Sequence, residues 1–177
     1  MRALTCALAL LAGPVGPAAA AASMADDPAV ATCAAHEIVV AGFLQVGLAE
    51  LALTDCAHAR AVLADLPKRY SITLARPIAG AALADSAREL LRRNLGQAAD
   101  LPAFECMNRA YRDAAKGDRY DIEWRPADGL RLRLNGETLA RCPAPAAAAT
   151  YFSIWFGDAP FQTRTRDALL EQADRRG

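Results

Sequence analysis

The stretch DRYDIEWRPADGLRLRLNGETLARCPAPAAAATYFSIWFGDAPFQTRTRDALL, residues 118–170, decides the fold. Tyr120, Ile122 and Trp124 alternate with Asp121, Glu123 and Arg125, the period of a strand with one apolar face. Residues 126–129 (PADG) turn the chain, and Leu130, Leu132 and Leu134 then alternate with Arg131 and Arg133. Asn135-Gly136 marks a tight hairpin, because both central residues of that turn need positive φ, which Asn and Gly tolerate. The return strand is residues 137–141. Three antiparallel strands that share one apolar face need a cover. Residues 146–156 predict an apolar helix stopped by Gly157, and residues 165–173 a final amphipathic one.

Outward from that segment, residues 69–75 alternate with Tyr70, Ile72 and Leu74 on one face, and Pro77 and Gly80 end the strand. Residues 81–95 place Leu83, Ala87, Leu90, Leu91 and Leu95 at helical spacing and stop before Gly96. Residues 104–115 predict a second helix ended by Gly117, and residues 55–66 a short one capped by Asp55 and closed by Pro67. Two apolar stretches, 37–41 and 43–54, flank Gly42. The second gives a mixed signal: Val46, Leu48 and Ala52 alternate, while its Ala and Leu content also suits a helix.

The chain has 177 residues, room for one domain of ordinary size. Its 20 basic and 20 acidic residues balance, so no field draws it to nucleic acid. Arg2, the apolar run 3–11 and the small residues around 20–22 have the layout of a cleaved secretory signal. The run is about half the length that spans a bilayer, so no membrane segment is expected after cleavage. The reading is a signal peptide over 1–22, a flexible mature start over 23–36, a folded domain over 37–174, and export to a periplasm or the exterior.

Cys33, Cys56, Cys106 and Cys142 remain after cleavage. In an oxidising compartment an even count favours disulfides, and four cysteines allow three connectivities; buried free thiols are the alternative. If Gly42 turns the chain between two antiparallel strands, Cys33 and Cys56 fall at the open end of that hairpin and can be bridged. No CxxC spacing occurs, and His36 and His58 are the only histidines, so no metal site or other cofactor is expected. Ser71, Ser86 and Ser153 lack the GxSxG setting of a hydrolase nucleophile.

In wording and order, Gly117-Asp118, Gly129-Leu130 leading into RLRLNGETLA (131–140), YFSIWFGDAP (151–160) and ALL (168–170) resemble the bacterial chalcone isomerase-like proteins, a secreted branch of the chalcone isomerase superfamily. PKRYSITLARPIAG (67–80) and FLQVGLAELALT (43–54) extend the match to about residues 37–171, and the resemblance makes 43–54 a strand. The resemblance implies an α+β fold, an open-faced antiparallel β-sandwich with a helical layer on one face and a ligand cleft between the layers. In the plant isomerases that cleft closes a chalcone into a flavanone. The reaction needs a guanidinium for the phenolate and Tyr and Asn donors near the ketone oxygen. Non-catalytic relatives bind fatty acids, with an Arg and a Tyr on the carboxylate.

Carried over by position, this pattern fails where the chemistry sits. No Arg lies between Thr32 and Arg60, Leu83 and Leu90 stand where the Tyr and Asn of the helix belong, and Gly47 and Ala52 stand where second-strand Tyr residues belong. Catalytic residues are therefore not assigned. The expected function is binding of a small hydrophobic, acyl or fatty-acid-like ligand in the cleft. An isomerase-type enzyme of unknown substrate and a structural envelope-associated module are the alternatives. The expected ligand contacts are Arg76, for an anionic group, with Tyr70, Tyr120 and Trp155 lining the cleft. For Trp155 the competing reading is a core aromatic at helical spacing.

Overall fold

Alternation of apolar and polar side chains over the centre of the chain builds a sheet with one greasy face, and the helical segments fold back onto that face. The computed structural model describes residues 30–177. Six strands lie in chain order: β1 (Ala31–Val40), β2 (Leu44–Leu53), β3 (Lys68–Leu74), β4 (Arg119–Arg125), β5 (Gly129–Leu134) and β6 (Glu137–Cys142). Every neighbouring pair is antiparallel. The helices are α1 (Gly80–Leu95), α2 (Pro102–Arg109), α3 (Ser153–Phe156) and α4 (Thr163–Asp174), with 3-10 turns at Cys56–Ala61, Gly96–Asp100 and Ala146–Phe152. The helices lie on one side of the sheet, which is the open-faced antiparallel architecture expected. Among the described residues no helix is long and apolar enough to cross a membrane.

Register puts Leu51, Tyr70, Ile122 and Leu132 in one row across β2 to β5, with Ala49, Ile72, Tyr120 and Leu134 in the next. These belong to the helix-covered face and, with Trp124, Phe104, Tyr151 and Phe152, form or pack on the core. The opposite face carries charge. Glu123 accepts hydrogen bonds from Arg131 (3.3 Å) and Arg133 (3.1 Å), and Asp121 from Ser71 (2.6 Å) and Arg119 (2.9 Å). Arg119 also pairs with Glu50. Arg131 and Arg133 are therefore not simply solvated: their side chains are only 13% and 12% exposed, folded over Glu123. Charge-assisted bonds satisfy this layer without a second cover.

Four segments differ from the sequence reading. The flexible start assigned to 23–36 is corrected for residues 31–36, which belong to β1: Thr32 pairs with Ala52, Ala34 with Leu51 and His36 with Ala49. The signal peptide of 1–22, and residues 23–29, lie outside the described residues. The mixed stretch 43–54, a strand by the family resemblance, is the strand β2 as expected, whereas the short helix read over 55–66 is a 3-10 turn over Cys56–Ala61. The helix read over 104–115 ends at Arg109, because the chain beyond it runs back along the sheet end, where Ala114 pairs with Ile78. The helix read over 146–156 is a 3-10 turn continued by the four-residue α3 before Gly157.

Two disulfides pin the edges. Cys33–Cys56 ties β1 to the turn after β2, and Cys106–Cys142 ties α2 to β6. α4 covers β1, burying Leu169 and Ala173, while Gln172 accepts from the Ala35 amide (3.2 Å) and Gln162 donates to the Val39 carbonyl (2.7 Å).

Candidate functional site

Between the helix-covered face of the sheet and the helices α1 and α3 lies a cavity of about 120 Å³. Its floor is Tyr70, Ile72 and Leu74 of β3 with Tyr120 and Ile122 of β4; its roof is Leu83, Ala87 and Leu90 of α1. Trp155 closes one side, and Ile38, Val46 and Phe161 another. Ala82 and Ser86 are exposed and belong to the lining, as does Phe161 at 41% exposure, so the opening lies between α1 and the segment before α4. Among the described residues none that lines the cavity carries a charge.

The local sequence explains how this space is held open. Asp113 accepts the Gly80 amide at the first residue of α1 (2.9 Å), and Ile78 and Ala114 exchange backbone bonds, so α1 starts at a fixed height above the sheet end. At its other end, Asn94 of α1 donates to the Ala159 carbonyl (2.9 Å) and accepts the Ala159 amide (2.8 Å). This clamps the turn after α3. Trp155, on that short helix, stacks on Tyr70 with ring centroids 4.2 Å apart and planes 19° apart.

The hydroxyls of Tyr70, Tyr111, Tyr120 and Tyr151 differ in what they bind. Tyr120 donates to the Arg112 carbonyl (2.5 Å) and accepts the Arg112 amide (3.1 Å), so its hydroxyl anchors the backbone. Tyr151 donates to Asn108 (2.9 Å) and lies 3.4 Å from the Tyr111 hydroxyl. The Tyr70 hydroxyl is buried and has no hydrogen-bond partner among the described residues. Burial pushes the Tyr70 and Tyr151 hydroxyls well above the usual phenol range, and moves Tyr111 up to about 12. All three are neutral donors at physiological pH.

Tyr70, Tyr120 and Trp155 thus meet around one cavity. Arg76 does not join them: it is exposed on the segment between β3 and α1, outside the lining. His36 is half-buried on β1, and His58 is paired with Asp55 at 3.5 Å. No group of three or more His, Cys, Asp or Glu side chains among the described residues is placed to hold a metal ion. Tyr111 was not legible in the sequence, because the helix read over 104–115 runs through it, whereas the chain leaves the helix at Arg109 and Tyr111 lies beyond it. Leu83 and Leu90, read in the sequence at the places where the resemblance implies polar donors, present apolar side chains to the cavity. At Gly47, where a Tyr belongs in the isomerase pattern, a Cβ would lie 2.4 Å from the Thr73 carbonyl oxygen, so this backbone admits no side chain there.

A sequence search of curated proteins finds no match. Among solved structures, a fatty-acid binding protein of Arabidopsis thaliana is similar, with a TM-score of 0.58 at 11% identity over 82% of this chain and 86% of that one. At that identity the likeness concerns the fold. The family model described as chalcone isomerase-like matches residues 43–171, most of the chain from β2 to α4, and the protein therefore belongs to the chalcone isomerase-like family.

Proposed function

We propose that this protein is an exported binding protein for a small apolar ligand and does no isomerase chemistry. The observation that carries the reading is the cavity between sheet and helices, lined by aliphatic and aromatic side chains with no charged group among the described residues. Apolar pockets with a few placed polar groups are the usual form of small-molecule sites. The Arabidopsis neighbour, named as a fatty-acid binding protein, supports a binding role on this fold. Isomerase chemistry needs a cation for a phenolate and donors for an enolate; this cavity has no charged lining residue among the described residues, and Leu83 and Leu90 line it where the family resemblance implies a Tyr and an Asn. Arg76, outside the lining, remains available to an anionic group only where a ligand projects from the opening.

Extraction of the purified protein into organic solvent, followed by mass spectrometry, tests the reading together with calorimetric titration of toluene. Co-purifying apolar compounds and saturable toluene binding are expected; absence of both counts against ligand binding. A chalcone incubated with the protein is expected to cyclise at the buffer rate. Export is tested by the amino terminus of protein recovered from an envelope or secreted fraction, which is expected to begin within a few residues of Ala22.

A further inference from the structure

We infer that the open face of the sheet, opposite the space under α1, carries a site for a phosphate-type oxyanion at its β6 edge, held by Arg131 and Arg141. The site does not depend on the cavity. Strand register sets it up: one row across that face runs from Arg69 on β3 through Glu123 on β4 and Arg131 on β5 to Arg141 on β6, each the direct cross-strand neighbour of the next. Glu123 is fully used on its own side, accepting from Arg131 and Arg133, with Arg125 4.0 Å away. β6 ends the sheet, so no acidic strand follows Arg141. The row therefore closes on two like charges directly opposite each other, which costs stability unless an anion lies between them. Arg141 is exposed, and among the described residues no carboxylate pairs with it.

Beside this pair lies a cleft of about 170 Å³, lined by Arg125, Arg131 and Arg141, in which Asp128 is the one carboxylate among the described lining residues. Its walls are fixed. Gly129 has a φ of 85°, and a Cβ there would lie 2.4 Å from the Cys142 carbonyl oxygen, so glycine lets the start of β5 press against the end of β6. Cys142, next to Arg141, is bridged to Cys106 of α2. The Arg131 side chain is mostly buried, so an oxyanion that meets it is screened less by salt than one at an exposed arginine. Asp128 lies on an exposed turn 3.9 Å from Arg131 and offsets part of the charge. Arg131 is shared with Glu123, so Arg141 supplies the unmatched charge, and the planar forks of the guanidiniums suit the several oxygens of a phosphate. The ligand class is inorganic phosphate or a phosphate monoester, free or on a lipid head group.

Calorimetric titration of inorganic phosphate into the wild type, Arg141→Gln and Asp128→Asn, with ionic strength held constant by chloride, tests this. The inference expects saturable binding to the wild type, about tenfold weaker in Arg141→Gln and about threefold tighter in Asp128→Asn, a gain that misfolding does not produce. Phosphate should raise the thermal midpoint of the wild type above the chloride control and leave that of Arg141→Gln unmoved. Without phosphate, Arg141→Gln should melt no lower than the wild type, since a like-charge pair is relieved. Phosphatidic acid vesicles distinguish the source: vesicle binding that phosphate displaces assigns a lipid head group, and phosphate binding without it assigns the free anion. Binding no stronger than the chloride effect, an affinity unmoved by Arg141→Gln, or a weakened Asp128→Asn overturns the site. A lowered midpoint in phosphate-free Arg141→Gln overturns it by showing that this guanidinium already has a partner.

Discussion

The ring of Tyr70 on β3 lies parallel to the indole of Trp155 on α3, 4.2 Å away, and Phe156 meets the same Tyr70 ring edge-on at 6.0 Å. One stack therefore joins the sheet to the helical layer and forms a wall of the cavity. Trp155→Ala removes the stack and enlarges the cavity. We expect a loss of about 3 kcal/mol in urea unfolding, by analogy with large-to-small core changes. Naphthalene, too large for the native cavity, is expected to bind the variant and not the wild type.

The clamp at the far end of α1 is a second point of control. Asn94 makes three hydrogen bonds, to Leu90 and to both backbone groups of Ala159, and a Cβ at Gly157 would come within 2.3 Å of its Oδ1. Asn94→Ala and Gly157→Ala should each cost about 2 kcal/mol. Because both act on one contact, the double variant should cost clearly less than the sum, which a double-mutant cycle in urea reads directly.

Much of this was legible in residues and much was not. Strands β4 to β6 announce themselves because each alternates large apolar with charged side chains and each turn carries Pro, Gly or Asn-Gly. β1 did not, since Ala31, Ala34 and Ala35 give no contrast between faces; it is fixed by pairing with β2 and by the Cys33–Cys56 bridge. Strand periodicity put Tyr70 and Tyr120 on the covered face, and the family resemblance put a cleft there; for Trp155 helical spacing favoured a core aromatic over a cleft wall. Which tyrosine hydroxyl lacks a partner was not legible, because that depends on the path of residues 110–116, where Arg112 meets Tyr120.

The two disulfides should contribute comparably. Their separations are 23 and 36 residues, and the chain-entropy account assigns each about 3–4 kcal/mol, with the longer loop ahead by less than 1 kcal/mol. Paired Cys→Ser variants, unfolded in urea without reductant, check this. Loss of Cys33–Cys56 is expected to loosen β1 and α4 first, seen as faster amide exchange at Ala34 and Leu169.

Lys68 gives the fold an alkaline signature. It is 1% exposed, donates to the Ala64 carbonyl (2.5 Å) and lies 5.3 Å from the Phe152 ring centre. Burial lowers its pKa from 10.5 to about 8 against the opposing pull of the Asp65 carboxylate. Between those values the unfolded chain holds the extra proton, so stability rises with pH from about 8 toward 10, and the gain is lost as pH falls through about 8. The raised Tyr70, Tyr111 and Tyr151 act in the opposite sense. Their contribution is complete below about 10 and is lost as pH rises further, through about 12 for Tyr111. Urea midpoints followed from neutral to alkaline pH should climb and then fall, and Lys68→Met should flatten the climb alone.

The proposed function stands on ligand binding in the space under α1. Methyl resonances of Ile72, Leu83, Leu90 and Ile122, which line it, report on that space during a toluene titration of the wild type and of Ala87→Leu, whose larger side chain fills the roof. The account predicts saturable shifts at those four residues in the wild type and their absence in Ala87→Leu. Shifts confined to the methyls of the exposed Leu48, or identical responses in both proteins, would contradict it.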